Sequence, residues 1–184
     1  MLNKEVIEEI NENNIYLRKI SKGDAEFLFD SLRKKEISQY LSLGPLSSLK
    51  HSYRLVDNYL ESWKKYSQFN YIIELREGNA RKKVGSISLW SLNWLHNRAE
   101  VGVWLASPEY FNMGMGTRAL NLIKNVGFIH LNLNRIEAHT AVENENSIKL
   151  FKKCGFKEEG LLKDYIRLQG EYHDAVVLAC LKNI

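Results

Sequence analysis

With 184 residues, the chain is long enough to bury one sizeable core and short for two. Hydrophobic residues make up 45% and there are only 2 Pro, which excludes a long disordered or linker-like tract; a net charge of +4 carried by alternating signs describes a solvated surface, not a basic nucleic-acid stripe. No apolar run is long enough to span a bilayer, the opening Met1–Ile10 is too acidic for a secretory leader, and Cys154 and Cys180 lack metal or redox spacing, so a cytoplasmic protein with reduced core thiols is expected.

In chain order, residues 15–20 read as a first strand, and Ser21 to Asp24 offers a cap for a helix carrying Phe27, Leu28 and Leu32. A loop around Gly44-Pro45 precedes a helix over residues 49–65, with Leu55, Val56, Tyr59, Leu60 and Trp63 on its apolar side. Residues 69–75 and 83–90 flank Glu77-Gly-Asn-Ala-Arg81 and predict an antiparallel hairpin. A strand over residues 100–105 leads through a loop to Gly114-Met-Gly-Thr117, and a helix runs on through Leu120, Ile123, Val126 and Phe128 to about residue 131. Residues 135–142 alternate as a strand, residues 147–153 form a short helix closed by Gly155, and strands at about 161–168 and 174–181 turn at Gln169-Gly170-Glu171. The pattern is an α/β domain with a largely antiparallel sheet and helices packed on it, one domain over residues 1–184 with its core from about residue 15.

The strand, loop and glycine turn from Glu100 to Thr117 form the most informative stretch. They place unpaired backbone N–H groups and the positive end of a helix dipole at one spot, an anion site. Small residues at Gly114 and Gly116 let a ligand approach the main chain. A Walker loop would need Gly-Lys-Ser/Thr, which Met115 and Gly116 do not supply. Gly114, Gly116 and Ala119 do satisfy a dinucleotide fingerprint with Glu137 about twenty residues on, but Glu137 lies inside its strand and the motif follows a hairpin, not the first strand of a parallel sheet.

The turn Phe111-Asn-Met-Gly-Met-Gly116 resembles the acetyl-coenzyme A cradle of the GNAT acyltransferases, whose pattern is Gln/Arg-x-x-Gly-x-Gly/Ala. Phe111 departs at the leading position, as aromatic residues do in the ribosomal-protein alanine acetyltransferase branch. Downstream, the stretch from Asn144 to Phe156 looks like that family's Asn-x-x-Ser-Ile-x-x-Tyr-x-Lys-x-Gly-Phe, and the tail from Glu159 to Asp174 is similar to that branch and its spermidine-acetylating relatives. The resemblance implies a GNAT fold, with a mixed, mostly antiparallel sheet, splayed central strands and helices on both faces.

It also implies roles. Main-chain N–H groups of Phe111, Asn112, Met113, Gly114, Met115, Gly116 and Thr117 would hold the pyrophosphate of acetyl-coenzyme A, and free backbone groups at Trp104, Leu105 and Ala106 would bind its pantetheine arm, one of them polarising the acetyl carbonyl. Asn144 would contact the same arm or simply cap its helix, and Ile148, Phe151 and Lys152 would line the other side. Glu100 stands where several members carry a catalytic glutamate and is the candidate general base; a salt bridge to Arg98 is its structural alternative. Phe151 stands where many members carry a tyrosine that protonates the leaving thiolate; Ser147 matches a serine that serves as donor in the ribosomal-protein branch, with helix-start hydrogen bonding as its structural alternative, and Tyr165 is an outside candidate. His139, mid-strand, reads as a satisfied structural histidine, no histidine has metal-ligand spacing, and Trp90 and Trp94 are candidate walls of an acceptor site.

The expected activity is transfer of acetyl from acetyl-coenzyme A to a primary amine by direct attack, the acceptor being a protein N-terminus such as that of a ribosomal protein, with a polyamine as runner-up and an amino sugar as a further option. A non-catalytic acyl-coenzyme A sensor is the rival class. Neither a metal, a direct nucleic-acid partner nor a membrane partner is expected, and a monomer or homodimer fits equally.

Overall fold

The structure, a computed structural model, describes residues 6–182, so the acidic opening at Met1–Ile10 lies partly outside the described residues. Its first element is a strand the sequence pattern did not signal. Strand β1 (Glu9–Glu12) pairs antiparallel with β2 (Ile15–Lys19). Three of its four residues are exposed, so it carries no apolar alternation. β2 is buried where Ile15, Tyr16 and Leu17 enter the core.

Ser21 does open a helical segment, beginning as a 3-10 turn over Lys22–Asp24 and continuing as α1 (Ala25–Leu32). The organising group is the Asp24 carboxylate, fully buried, which takes both terminal nitrogens of Arg18 at 2.8 Å, Lys83 Nζ at 2.6 Å and the Ser21 N–H at 2.8 Å. Burial alone would raise the pKa of Asp24, but the bonds from Arg18, Lys83 and Ser21 prevail and hold it well below the usual carboxylate range. Asp24→Asn is therefore expected to cost about 3 kcal/mol at neutral pH, because it leaves two cations facing a neutral amide. The pKa of Asp24 is depressed on folding, so its contribution is present above the unfolded value near 3.9 and fades as the pH falls below it. The gap between wild type and variant in denaturant midpoint should shrink below about pH 4; a gap unchanged down to pH 3 would contradict this reading.

A single turn, α2 (Lys35–Ser38), precedes α3 (Leu49–Lys64), whose first turn is capped by the Ser48 side chain accepting from His51 N–H. α3 packs on α1 and on β3 (Phe69–Glu77), with Ser52 Oγ donating to the Ala25 carbonyl at 2.6 Å and Trp63 buried against Phe69 and Tyr71. β3 and β4 (Ala80–Asn93) form the expected hairpin, with Gly78 at φ 60 in the turn. β4 continues past Trp90 and pairs antiparallel with β5 (Arg98–Leu105).

The glycine turn then opens α4 (Met115–Asn125), which ends in a π-helical turn over Val126–His130 instead of running as one α-helix to residue 131. β6 (Arg135–Ala141), α5 (Glu145–Lys153), β7 (Lys157–Leu168) and β8 (Glu171–Leu181) complete the chain. α5 starts two residues earlier than the sequence pattern indicates, because Asn144 itself accepts the Ser147 N–H as N-cap.

All eight strands lie in one sheet, in the order β1-β2-β3-β4-β5-β6-β8-β7, antiparallel throughout except for β5 beside β6. Helices cover both faces. α4 and its π turn press on the face carrying Ile136, where Gly127 leaves room for that side chain, while α1 sends Phe27 to stack on Trp104 of the opposite face, 5.9 Å between rings. No helix among the described residues is long and apolar enough to cross a membrane.

Candidate active site

The parallel pair is short. β5 and β6 are matched only at Arg98↔Arg135, Ala99↔Ile136 and Glu100↔Glu137, and beyond Glu100 the two strands part. A parallel ladder that ends in mid-sheet leaves main-chain donors and acceptors on both banks of the gap. Which residues offer them follows from the pairing on the other side of β5. Ala106 N–H donates to the Val84 carbonyl at 2.8 Å, and Ser86 faces Trp104, so alternation turns the main chain of Trp104 and Ala106 towards β4. The expectation of free backbone groups at Trp104 and Ala106 is thereby corrected: of the three residues only Leu105 faces the gap, joined by Val103, which the motif match missed. Counting back by two from Leu105 is the signal that finds Val103.

The loop after β5 brings the chain round to α4. Tyr110 N–H and Phe111 N–H are taken by Ser107 and Pro108 carbonyls at 3.1 and 3.0 Å, so Phe111 has no amide to give. From Asn112 to Thr117 the N–H groups find no acceptor among the described residues, and the first amide bonded back is that of Arg118, to the Gly114 carbonyl at 3.1 Å. Asn112 at φ 60 and Gly114 at φ 76 are both left-handed, the alternation that curls successive N–H groups into a concave nest. A Cβ at Gly114 would meet nothing within 4 Å, so the glycine is required by its backbone angle; at Gly116 the constraint is α5, where Leu150 would lie 3.1 Å from an added Cβ.

On the face opposite α4, Glu100, Gly102 and Trp104 follow one another along β5, and the Trp90 ring of β4 reaches over Gly102, 2.5 Å from where a Cβ would stand. Glu100 does not pair with Arg98. Its Oε2 meets His139 Nδ1 at 3.0 Å across the mouth of the gap, while Arg98 turns to Glu137 at 3.1 Å. Glu137 is nearly buried and also takes Arg135 Nε at 2.7 Å, and its second oxygen lies 3.9 Å from His139 Nε2. The bond from His139 outweighs partial burial and holds the Glu100 carboxyl below its ordinary range, with weaker help from Ser91 and Trp90, so Glu100 is ionised at neutral pH.

β7 supplies a lid to this corner. Its register slips between Leu162 and Ile166, where Asp164 at φ 48 donates its N–H to Asp174 and the chain bulges to place the Tyr165 ring 5.0 Å from the His139 ring.

The α5 residues divide. Ser147 is half-buried, and its hydroxyl binds no described residue. Ile148 is half-buried against the core. Phe151, expected to line a cofactor, is buried edge-on to Phe156 with ring centroids 5.0 Å apart, and Lys152 is engaged with Glu158 at 2.7 Å on the exposed side. Cys154 and Cys180 are free, and burial pushes both thiols up. Trp94 is tied to the Tyr66 carbonyl at 3.0 Å, away from Glu100, which leaves Trp90 as the indole beside Glu100. Among the described residues no three His, Cys, Asp or Glu side chains are placed to hold a metal ion.

Residues 14–157 match the family model described as the acetyltransferase (GNAT) domain. The chain is 27% identical to the spermidine N(1)-acetyltransferase of Vibrio cholerae, over 88% of this chain and 90% of that protein. It is 30% identical to YdaF of Bacillus subtilis, named a candidate ribosomal N-acetyltransferase, over 95% and 94% of the two chains. Among solved structures, the Vibrio cholerae spermidine N-acetyltransferase in complex with CoA and spermine superposes with a TM-score of 0.81 at 26% identity, covering 93% of this chain and 97% of that one.

Proposed function

The chain belongs to the GNAT acetyltransferase family, an N-acetyltransferase with acetyl-coenzyme A as co-substrate, and from that premise we propose that its one domain, from about residue 15 onward, acetylates the α-amino group of a protein N-terminus by direct attack in a ternary complex. The observation that carries the reading is the row of unpartnered amides from Asn112 to Thr117 beside a fork in the sheet, with an ionised carboxylate on β5 at the root of the fork.

Each part of the chain has its task. The nest and the dipole of α4 suit a diphosphate, with Gly114 shaping the loop. Val103 and Leu105 offer an edge to an extended amide-bearing arm, and the Leu105 N–H is the group proposed to polarise the acetyl carbonyl. Asn144, Ile148 and Ser147 border the gap from α5, and the unbonded Ser147 hydroxyl is the donor proposed for the departing thiolate; Phe151 and Lys152 support this wall from behind. The thioester supplies the activated acetyl group. Glu100 accepts the ammonium proton of the incoming amine, directly or through one water.

The strength of that base favours one acceptor class. A carboxylate held below its ordinary range is a weak base, suited to an ammonium that is already easily deprotonated. At pH 7.5 roughly a third of an α-amine is free, against roughly one in a thousand of an alkylamine of the lysine type. A polyamine site would also be expected to gather carboxylates near the first helices. Instead the carboxylates there are scattered, and Asp30, Asp57 and Glu61 each face a cation, Arg33, Lys22 and Lys64. Similarity to a spermidine acetyltransferase keeps polyamines as the second reading.

Release of free thiol from acetyl-coenzyme A, measured with peptides of varied N-terminal residue, spermidine and an aminoglycoside, tests both. The peptides should give the highest kcat/KM. Preference for spermidine would overturn the acceptor, and binding of coenzyme A without turnover of any amine would leave a sensor module instead of an enzyme.

A further inference from the structure

Resting on the reading of Glu100 as the base, we propose that His139 is its positioning residue, holding one carboxylate oxygen so that the other faces the acceptor amine. The argument begins with the fork. His139 lies two residues past the last matched pair of β5 and β6, Glu100↔Glu137, so the ladder holds the backbone of Glu100 but nothing in it fixes the Glu100 side chain against the parted strand. A glutamate at the lip of such a gap has three free torsions and a choice of directions. The imidazole removes that choice. An ionised carboxylate only accepts, so the 3.0 Å contact requires the proton on His139 Nδ1.

The ring is itself flanked on two further sides. Tyr165 of β7 packs against it at 5.0 Å, its own strand β6 presents Glu137 3.9 Å from Nε2, and Glu137 is fixed by Arg98 of β5 and Arg135 of β6. Arg135 is held in turn by Glu159 of β7, one contact measuring 3.0 Å. These are the charged and titratable groups around the pair. When the N–C bond forms and the C–S bond breaks, the amine's proton passes to the free oxygen of Glu100; the Nδ1–H bond to Oε2 stays in place throughout.

The test compares His139→Asn, whose amide nitrogen can stand where Nδ1 stands, with His139→Leu, which fills similar space without a donor. His139→Leu should lower kcat about tenfold or more at an unchanged KM for acetyl-coenzyme A, and should move the acid limb of the kcat/KM profile to higher pH, since the bond that depresses the Glu100 titration is gone. His139→Asn should recover most of the lost turnover and keep the limb near its wild-type place. Carboxyl NMR of Glu100, assigned by its loss in Glu100→Gln, gives the same titration without any acceptor. Equal behaviour of the Leu and Asn variants, or a Glu100 titration untouched in both, overturns the positioning role. Failure of the wild type to bind coenzyme A in calorimetry overturns the enzyme reading instead, and leaves the NMR comparison to decide the role of His139 alone.

Discussion

Glu100→Gln is expected to reduce turnover by about 10²- to 10³-fold while leaving the affinity for coenzyme A within about twofold of wild type. The amide keeps the size of the side chain and can still meet His139, but it cannot accept a proton. The loss should therefore sit in kcat. It should also shrink as the pH is raised, because more of the acceptor arrives already deprotonated. Thermal unfolding should change little, since the side chain is only partly buried and its main partner is a histidine that can bond the amide oxygen. A variant that retains wild-type turnover at neutral pH would remove Glu100 from the chemistry. A loss confined to KM for acetyl-coenzyme A would move it to cofactor binding.

The second large effect is expected at Gly114. With φ at 76 and open space where a Cβ would point, Gly114→Val is penalised by backbone strain, with no clash to relieve. A β-branched residue in the left-handed region costs about 1–3 kcal/mol. The loop can escape that cost by relaxing to negative φ, which uncurls the nest and redirects the amides on either side. Affinity for coenzyme A should then fall by about tenfold or more, with kcat at saturating acetyl-coenzyme A much less affected. Gly114→Asn, which tolerates the left-handed region, should bind close to wild type. Equal loss in both variants would show that the small size of the residue matters, not its backbone angle.

The sequence is most legible where one element carries its own signal. α3 shows its apolar side at helical spacing and begins where the pattern places it, and the β3–β4 hairpin announces itself by its glycine turn. The glycine turn and the asparagine of α5 locate the two banks of the gap through local motifs. What stays hidden depends on partners far along the chain. β1 is an exposed edge paired to β2 and tied through Glu9 to Arg81 of β4, and α2 is a single turn without room for a period. The direction of the amides at Trp104 and Ala106 is set by the register of β4, twenty residues earlier in the chain.

Glu100 and His139 are 39 residues apart, and their meeting needs the parallel register of β5 and β6, which no local pattern encodes. The alternation at 135–139 does place Glu137 and His139 on one face, and from it a polar cluster is readable, though not its partner. Tyr165 reaches His139 only through a bulge in β7, a feature periodicity cannot anticipate.

The account stands on where the chain grips a coenzyme A diphosphate and its extended arm. Backbone amide NMR of the wild-type protein titrated with coenzyme A reads this directly. The largest shifts should fall on Asn112 through Thr117 and on Val103 and Leu105, with Trp104 and Ala106 moving less because their amides already face β4. A titration that saturates while those amides stay in place, with the shifts gathered elsewhere on the sheet, would contradict it.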